Sequence, residues 1–229
     1  MSEEIRKMFA DIAPRYDVVN TVLSFGVHRR WRKRAVRLSG AAAGASALDC
    51  ATGTGDLALE LKRAVGREGS VVGTDFCAEM MLTAPAKALA AGLDVRYETA
   101  DAMNLHYPND MYDVATISFG IRNVDNPVVA LREMARVVRP GGRVVVLEFG
   151  QPRGLFGALY RFYGRVIIPA VGGLLSGRRE AYSYLVATSG LFPAGEKFLA
   201  LMRDADVFAE TSATPLTFGV AYVYVGVVR

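Results

Sequence analysis

Three carboxylates recur at a fixed interval. Asp49, Asp75 and Asp101 lie 26 residues apart, each at or near the end of a stretch that reads as a strand. One strand–helix unit per carboxylate brings all three to one sheet edge, where they suit hydroxyl and ammonium donors. Within this series lies Leu48-Asp49-Cys50-Ala51-Thr52-Gly53-Thr54-Gly55-Asp56-Leu57-Ala58, a buried strand, a tight turn and the first turn of a helix. Gly53 and Gly55 let the backbone turn sharply and approach a ligand, because no Cβ intervenes. The helix behind them offers free N–H groups to whatever sits above the turn. The same turn fits the dinucleotide pattern G-x-G-x-x-A, and Asp75 lies 20 residues past Gly55, where an acid for ribose hydroxyls is expected. A dinucleotide would place a pyrophosphate beside these acids, which is unfavourable. S-adenosylmethionine has no phosphate and carries an ammonium and a sulfonium, so the acids favour it; a nicotinamide oxidoreductase is the alternative. Asp56 and Asp110 read more simply as helix N-caps.

The bulk properties narrow the class. At 229 residues the chain predicts one compact domain with an appendage. Its two cysteines, Cys50 and Cys77, suit a reduced intracellular protein, and two histidines without a Cys/His cluster predict no metal site. The charged segment Met1–Asp11 lacks the apolar core of a secretory signal. Mean hydropathy is positive at +0.21, yet the most apolar window, 155–175, is interrupted by Arg161 and Arg165 and does not make a membrane span. A net charge of +4 permits attraction to an anionic membrane surface without demanding nucleic acid. The densest basic run is His28-Arg29-Arg30-Trp31-Arg32-Lys33-Arg34. It reads as a solvated helix face or as a surface for anionic lipid, and Trp31 inside it favours an interface.

The elements that must position the acids alternate. Residues 1–40 are helical and basic, and small residues link them to a first strand over 47–52. A helix over 56–65, a strand over 70–75 and a helix over 78–91 follow, with Pro85 kinking that helix or marking a late start. Strands are expected over 94–99, 112–118 and 143–149. A helix between the last two starts at Asn126-Pro127, an N-cap with proline at the first helical position. This alternation predicts a parallel sheet covered on both faces, with ligands at the carboxyl ends of its strands. Residues 150–190, rich in aromatics, glycine and arginine, break the pattern and read as a cap. A helix over 194–204 and two strands, the second over 219–228, complete the chain.

These residues resemble the class I methyltransferases and, more narrowly, the ubiquinone/menaquinone biosynthesis C-methyltransferase family. The resemblance is carried by Arg15-Tyr16-Asp17, Gly53-Thr54-Gly55-Asp56, Ser118-Phe119-Gly120-Ile121-Arg122-Asn123-Val124, Pro140-Gly141-Gly142-Arg143 and Leu147-Glu148-Phe149, and it runs over nearly the whole chain. It implies an α/β, Rossmann-like fold: a mostly parallel seven-stranded sheet with an antiparallel C-terminal strand, a helical N-terminal segment and an inserted cap. Residues 1–229 would form one methyltransferase domain, divided into an N-terminal segment (1–45), a donor-binding core (46–149), a substrate cap (150–190) and a C-terminal helix and strands (191–229). Ala51 departs from the pattern where many methyltransferases have a glycine, as do His106-Tyr107 in place of Pro-Phe and Tyr224 in place of His.

The resemblance implies methylation of a ring carbon on a polyprenyl quinol, with S-adenosylmethionine as methyl donor and no metal. Asp49, Asp75, Asp101, Ala102, Thr54 and Ser118 would line the donor site, and Gly53 and Gly55 would shape it. A ring carbon is a good nucleophile only when an adjacent hydroxyl loses its proton, so the site must stabilise a phenolate. Arg122 is expected to do so and to orient a water that takes the proton. Asn123 would bind a ring oxygen, and Tyr16 would complete the pocket. Arg122 also reads as an ion-pair partner of Asp125 or Glu148. The expected partners are the lipid-soluble quinol and a membrane surface, with the protein cytoplasmic and peripherally attached; homo-oligomers are open and nucleic acid is not expected. Another aromatic or lipid acceptor, or a donor-binding assembly subunit without turnover, are the competing functions.

Overall fold

A computed structural model describes residues 3–229; Met1 and Ser2, at the start of the N-terminal segment, lie outside the described residues. Seven strands form one sheet in the order β3-β2-β1-β4-β5-β7-β6. They are β1 (Ser46–Cys50), β2 (Ser70–Asp75), β3 (Arg96–Thr99), β4 (Tyr112–Ser118), β5 (Val138–Phe149), β6 (Phe208–Leu216) and β7 (Ala221–Val228). The first five run parallel, and β7 pairs antiparallel with both β5 and β6. Strand order reverses beside β1, which places the carboxyl ends of β1, β2 and β4 around one crevice.

Both faces are covered because the central strands are apolar on both sides. On one face lie α3 (Val27–Ser39) and α4 (Asp56–Val65), burying Trp31, Ala35, Leu57 and Leu61 against Ala47, Val71, Val145 and Val223. On the other lie α6 (Pro127–Arg136) and α10 (Glu196–Asp204), burying Leu131, Met134, Phe198 and Met202 against Leu48, Ile117 and Val146. Asn126 caps α6, its Oδ1 accepting from the Val128 and Val129 N–H groups. Pro85 marks a late start: Ala78–Met81 is a short 3-10 turn and α5 spans Ala84–Ala90.

A second, smaller core sits above the strand ends. Here α1 (Glu3–Ile12) and α2 (Tyr16–Leu23) pack on α8 (Ile168–Ser176) and α9 (Arg179–Leu191) through Ile12, Val19, Ala181 and Tyr182. The first cap helix, α7 (Gly154–Phe162), joins α8 through a π turn over Tyr163–Ile167. Tyr163 donates to the Leu23 carbonyl at 2.8 Å, and Arg15 to the Leu175 carbonyl at 2.9 Å.

Several details differ from the sequence expectation. Trp31 is not at an interface: it is 7% exposed, and its indole N–H donates to Thr217 at 2.9 Å. The basic run is a helix with two faces, in which His28, Trp31 and Ala35 point inward and Arg29, Arg30, Lys33 and Arg34 outward. Asp56 is not a cap. Gly55 holds the N-cap position of α4, and the Asp56 carboxylate pairs with Arg32 at 2.7 Å and with Lys87. β5 starts at Val138, five residues early, because Val138 pairs with Tyr112 before the Pro140-Gly141-Gly142 excursion shifts the register.

Candidate active site

The glycine turn explains one sequence departure. Ala51 has φ +48°, a left-handed conformation that favours glycine. Its methyl occupies the space left by Gly120, where an added Cβ would lie 2.5 Å from the Ala51 Cβ. Gly53 and Gly55 also have positive φ, +55° and +83°. The Gly53 N–H donates to Asp75 Oδ2 at 2.8 Å, so the turn is bolted to the end of β2.

Two cavities meet at this turn. The first is a cleft lined by Gly53, Asp75, Asp101, Ala102, Ser118 and Asn123 among others. Asp75 accepts from the Gly53 and Cys77 N–H groups. Asp101 accepts from the Met103 N–H at 2.9 Å, and each carboxylate keeps lone pairs for a ligand. Burial pushes the Asp75 carboxyl up to about 6, against the pull of those backbone N–H groups. Phe9, Phe76, Met80 and Phe119 supply apolar walls. The cleft therefore suits a ligand with a flat apolar portion, hydroxyls and a cationic group.

The second cavity is a larger, mostly apolar chamber, roofed by α1, α2, α8 and α9. Phe9, Tyr16, Ala51, Gly53, Ser118 and Phe119 line both cavities, so contents of one touch contents of the other. An outer cleft shares Phe149, Tyr160, Ile168 and Leu185 with the chamber and opens between α7 and α9.

The residues singled out from the sequence divide between these spaces. Asp49 and Thr54 line the chamber, not the donor cleft. Asp49 lies under the turn with its oxygens accepting from Thr52 and Thr116, each at 2.7 Å, and burial raises its carboxyl to about 6. The Thr54 hydroxyl donates to Asp17 at 2.6 Å. Gly55 lines neither space and acts through backbone shape. Tyr16, Arg122 and Asn123 come together where the cavities meet. Tyr16 lines both and has its hydroxyl pKa raised by burial, with Arg122 close enough to oppose that shift. Arg122 lines the chamber and is held by Glu148 at 2.8 Å and the Phe119 carbonyl at 2.6 Å. Asn123 lines the donor cleft, and its Oδ1 accepts from Tyr184 of α9 at 3.4 Å. The departures at His106-Tyr107 and Tyr224 lie off both cavities. The first two hydrogen-bond Glu98, and the Tyr224 hydroxyl accepts from the Gly195 N–H.

Sequence reasoning missed the clasp on the N-terminal segment. Lys87 bridges Asp17 and Asp56, Arg32 pairs with Asp56, and Arg6 pairs with Glu79 at 2.8 Å. Asp17 was visible beside Tyr16, but no local signal connects it to Lys87, 70 residues on.

Comparisons with known proteins agree with this architecture. The model of the ubiE/COQ5 methyltransferase family matches residues 1–228. The "Ubiquinone/menaquinone biosynthesis C-methyltransferase UbiE" of Bdellovibrio bacteriovorus is 54% identical over 228 residues, covering 99% of this chain and 97% of that protein. The "Demethylmenaquinone methyltransferase" of Thermus thermophilus is 50% identical over 221 residues, covering 96% and 99%. Among solved structures, a SAM-dependent methyltransferase of Thermotoga maritima superposes with a TM-score of 0.70 over 98% of this chain and all of that one; at 19% identity it shows the fold alone. A seven-stranded sheet, a cleft at its switch point and a family match over residues 1–228 lead to one conclusion: this chain belongs to the ubiE/COQ5 methyltransferase family and is an S-adenosylmethionine-dependent methyltransferase.

Proposed function

We propose that this enzyme methylates a ring carbon of a lipid-soluble polyprenyl quinol; its relatives are named for C-methylation in ubiquinone/menaquinone biosynthesis and for methylation of demethylmenaquinone. The observation that carries the reading is the apolar chamber, walled in part by the donor cleft's own residues and continuous with an outer cleft through the cap. Its walls include Phe25, Trp31, Phe119, Phe149 and Tyr160, an apolar surround of the kind that an isoprenoid tail requires. The residues present fit the donor: Asp75 and Asp101 suit its hydroxyls and ammonium, Phe76 and Met80 its base, and Gly53 keeps the turn free of a Cβ. When bound, S-adenosylmethionine supplies an electrophilic methyl on a sulfonium.

The chain's own work is placement and electrostatics. Arg122 is a permanent cation and a poor base. It therefore stabilises the phenolate that forms when the quinol hydroxyl loses its proton, and orients the water that receives it. Asn123, steadied by Tyr184, hydrogen-bonds a ring oxygen, and Tyr16 closes the junction between the cavities. Asp49, Gly53, Thr54, Gly55, Asp75, Asp101, Ala102 and Ser118 hold or shape the donor side, Asp49 from under the turn and Thr54 from the chamber wall, through its bond to Asp17. Residues 1–45 and 150–190 enclose the acceptor, and 46–149 bind the donor.

We place the enzyme on a membrane surface through α7. Leu155, Leu159, Phe162 and Val166 follow helical spacing and are 90%, 64%, 58% and 46% exposed. Exposed Arg153, Arg161 and Arg165 accompany them and suit anionic headgroups. Among the described residues no helix is long and apolar enough to cross a membrane, so the contact is interfacial. The test is transfer of labelled methyl from S-adenosylmethionine to reduced demethylmenaquinol-like and demethylubiquinol-like analogues. Quinols should be methylated and the oxidised quinones not; no transfer to any quinol refutes the reading. Vesicle flotation tests the surface: Leu159→Ser with Phe162→Ser should abolish binding to anionic vesicles, and unchanged flotation refutes it.

A further inference from the structure

The ion pair beneath Arg122 is built for more than packing. The Arg122 and Glu148 side chains are 3% and 1% exposed, and their atoms lie 2.8 Å apart. Glu148 Oε1 also accepts from the Phe149 N–H at 2.8 Å, which fixes the carboxylate to the end of β5. Arg122 Nη1 donates to the Phe119 carbonyl as well, and the guanidinium stands 5.4 Å from the centre of the Phe149 ring. Within this tightly held pair, Arg122 Nε and Glu148 Oε2 are buried without a hydrogen-bond partner. A buried unsatisfied polar atom is costly, and a pair that served stability alone would gain from satisfying both. Arg122 meanwhile forms part of the chamber wall.

We propose that Glu148 is a positioning residue for methyl transfer: its carboxylate fixes the Arg122 guanidinium at the chamber wall and balances its charge until a ring oxygen turns anionic there. The inference rests on the reading of Arg122 given above. A net-neutral pair lets an apolar ring enter, whereas an unpaired buried cation would not be tolerated. Once the ring oxygen is anionic, the oriented N–H groups meet it without reorganisation. Glu148 must be ionised for this. Burial raises its pKa, with Arg122 and the Phe149 N–H opposing, so acid weakens the clamp first. The other titratable groups that face the pair are Tyr16 of α2, Tyr184 of α9 and Tyr224 of β7, all with raised pKa and neutral across the acid range.

The experiment compares the intact wild-type enzyme with Glu148→Gln on a reduced demethylnaphthoquinol analogue from pH 5 to 8. Taking the ratio of their kcat values removes any pH dependence intrinsic to the quinol. At pH 7.5 the wild type should be faster by roughly ten- to a hundredfold, the scale of a misplaced catalytic group, with KM for the quinol changed far less. The ratio should shrink towards one as pH falls and the wild-type Glu148 becomes neutral like the glutamine. A ratio that stays constant with pH marks plain structural damage and overturns the proposal, as does a kcat within twofold of wild type. If Glu148→Gln does not fold, Glu148→Asp carries the same ratio test, because the shorter chain draws the carboxylate away from Arg122. Failure of the quinol reading looks different: the wild type then ignores quinols but methylates another acceptor, on which the same ratio decides. No transfer by the wild type to any phenolic or lipid acceptor overturns both.

Discussion

The two glycines of the turn should separate under mutation, one reporting stability and the other donor affinity. Both hold positive φ, so alanine at either pays about 1–2 kcal/mol of backbone strain. Both regain about 0.4–1 kcal/mol from a less flexible unfolded chain, which cancels in the comparison. The surroundings differ. A Cβ at Gly55 would lie 2.6 Å from the Tyr97 hydroxyl and 2.9 Å from the Ala84 Cβ. Tyr97 cannot easily yield, because its ring also fills the space over Gly73, where a Cβ would lie 2.8 Å from it, and Ala84 is fully buried in the first turn of α5. Overpacking of this kind costs about 1–3 kcal/mol more. A Cβ at Gly53 meets only the Met80 Cε at 3.5 Å, an ordinary contact, and points into the donor cleft. Gly55→Ala should therefore be about 1–3 kcal/mol less stable than Gly53→Ala, while Gly53→Ala loses more affinity for S-adenosylmethionine. Urea unfolding gives the first quantity: with a slope of about 3 kcal/mol/M, the midpoints should differ by about 0.3–1 M. Titration calorimetry with the donor gives the second. Equal midpoints, or a lower midpoint for Gly53→Ala, would refute the reasoning.

Three further perturbations follow from the site. Asp75 titrates near 6, up from 3.8, because it is buried, so donor affinity should fall as pH drops below about 6, by up to tenfold per pH unit, in calorimetry from pH 5 to 8. The ligand-free protein should show the opposite trend from this group: a raised folded-state pKa stabilises below about 4 and is lost as pH rises through 6, seen in thermal melts. Asp17→Ala removes a partner from both Thr54 and Lys87; those pairs are partly exposed, so stability should change by about 1 kcal/mol or less, but the N-terminal helices should be cut faster in limited proteolysis and KM should rise for donor and acceptor alike. Trp31→Phe should cost about 1–2 kcal/mol through the lost bond to Thr217 and leave vesicle flotation unchanged; lost flotation would return Trp31 to the interface.

Much of the sheet was legible because its signals are local. The apolar runs ending in Asp49, Asp75 and Ser118, the Asn126-Pro127 start and the break at Pro85 each act within a few residues, and each falls where expected. The α3 face was also written in the chain: His28, Trp31, Ala35 and Ser39 recur at helical spacing, and the charge density of the run hid them. What local signals do not carry is partnership. Asp49 and Asp75 resemble each other in sequence, yet two threonine hydroxyls engage the first under the turn, while backbone N–H groups hold the second at the cleft wall. Tyr184 reaches Asn123 across 61 residues, and Lys87 reaches Asp17 across 70, because the cap and the N-terminal segment fold back over the same strand ends.

That folding back makes the N-terminal segment common property of the two cavities. Phe9 and Tyr16 face both, and the segment is tied beside the donor cleft by Arg6–Glu79, to the glycine turn at the chamber wall by Asp17–Thr54, and to the cap by the Tyr163–Leu23 and Arg15–Leu175 bonds. A ligand on either side that needs these residues in place contributes part of the cost of ordering them for the other. Donor and acceptor affinities should therefore be coupled, each ligand tightening the other by one shared factor. The factor should collapse towards one in Arg6→Ala, where the tie to Glu79 beside the donor cleft is cut and the ties to the cap remain. Calorimetry of the donor product S-adenosylhomocysteine, with and without a quinol analogue, measures it in both proteins. An identical factor in the two would show that the segment only covers the cavities and does not connect them.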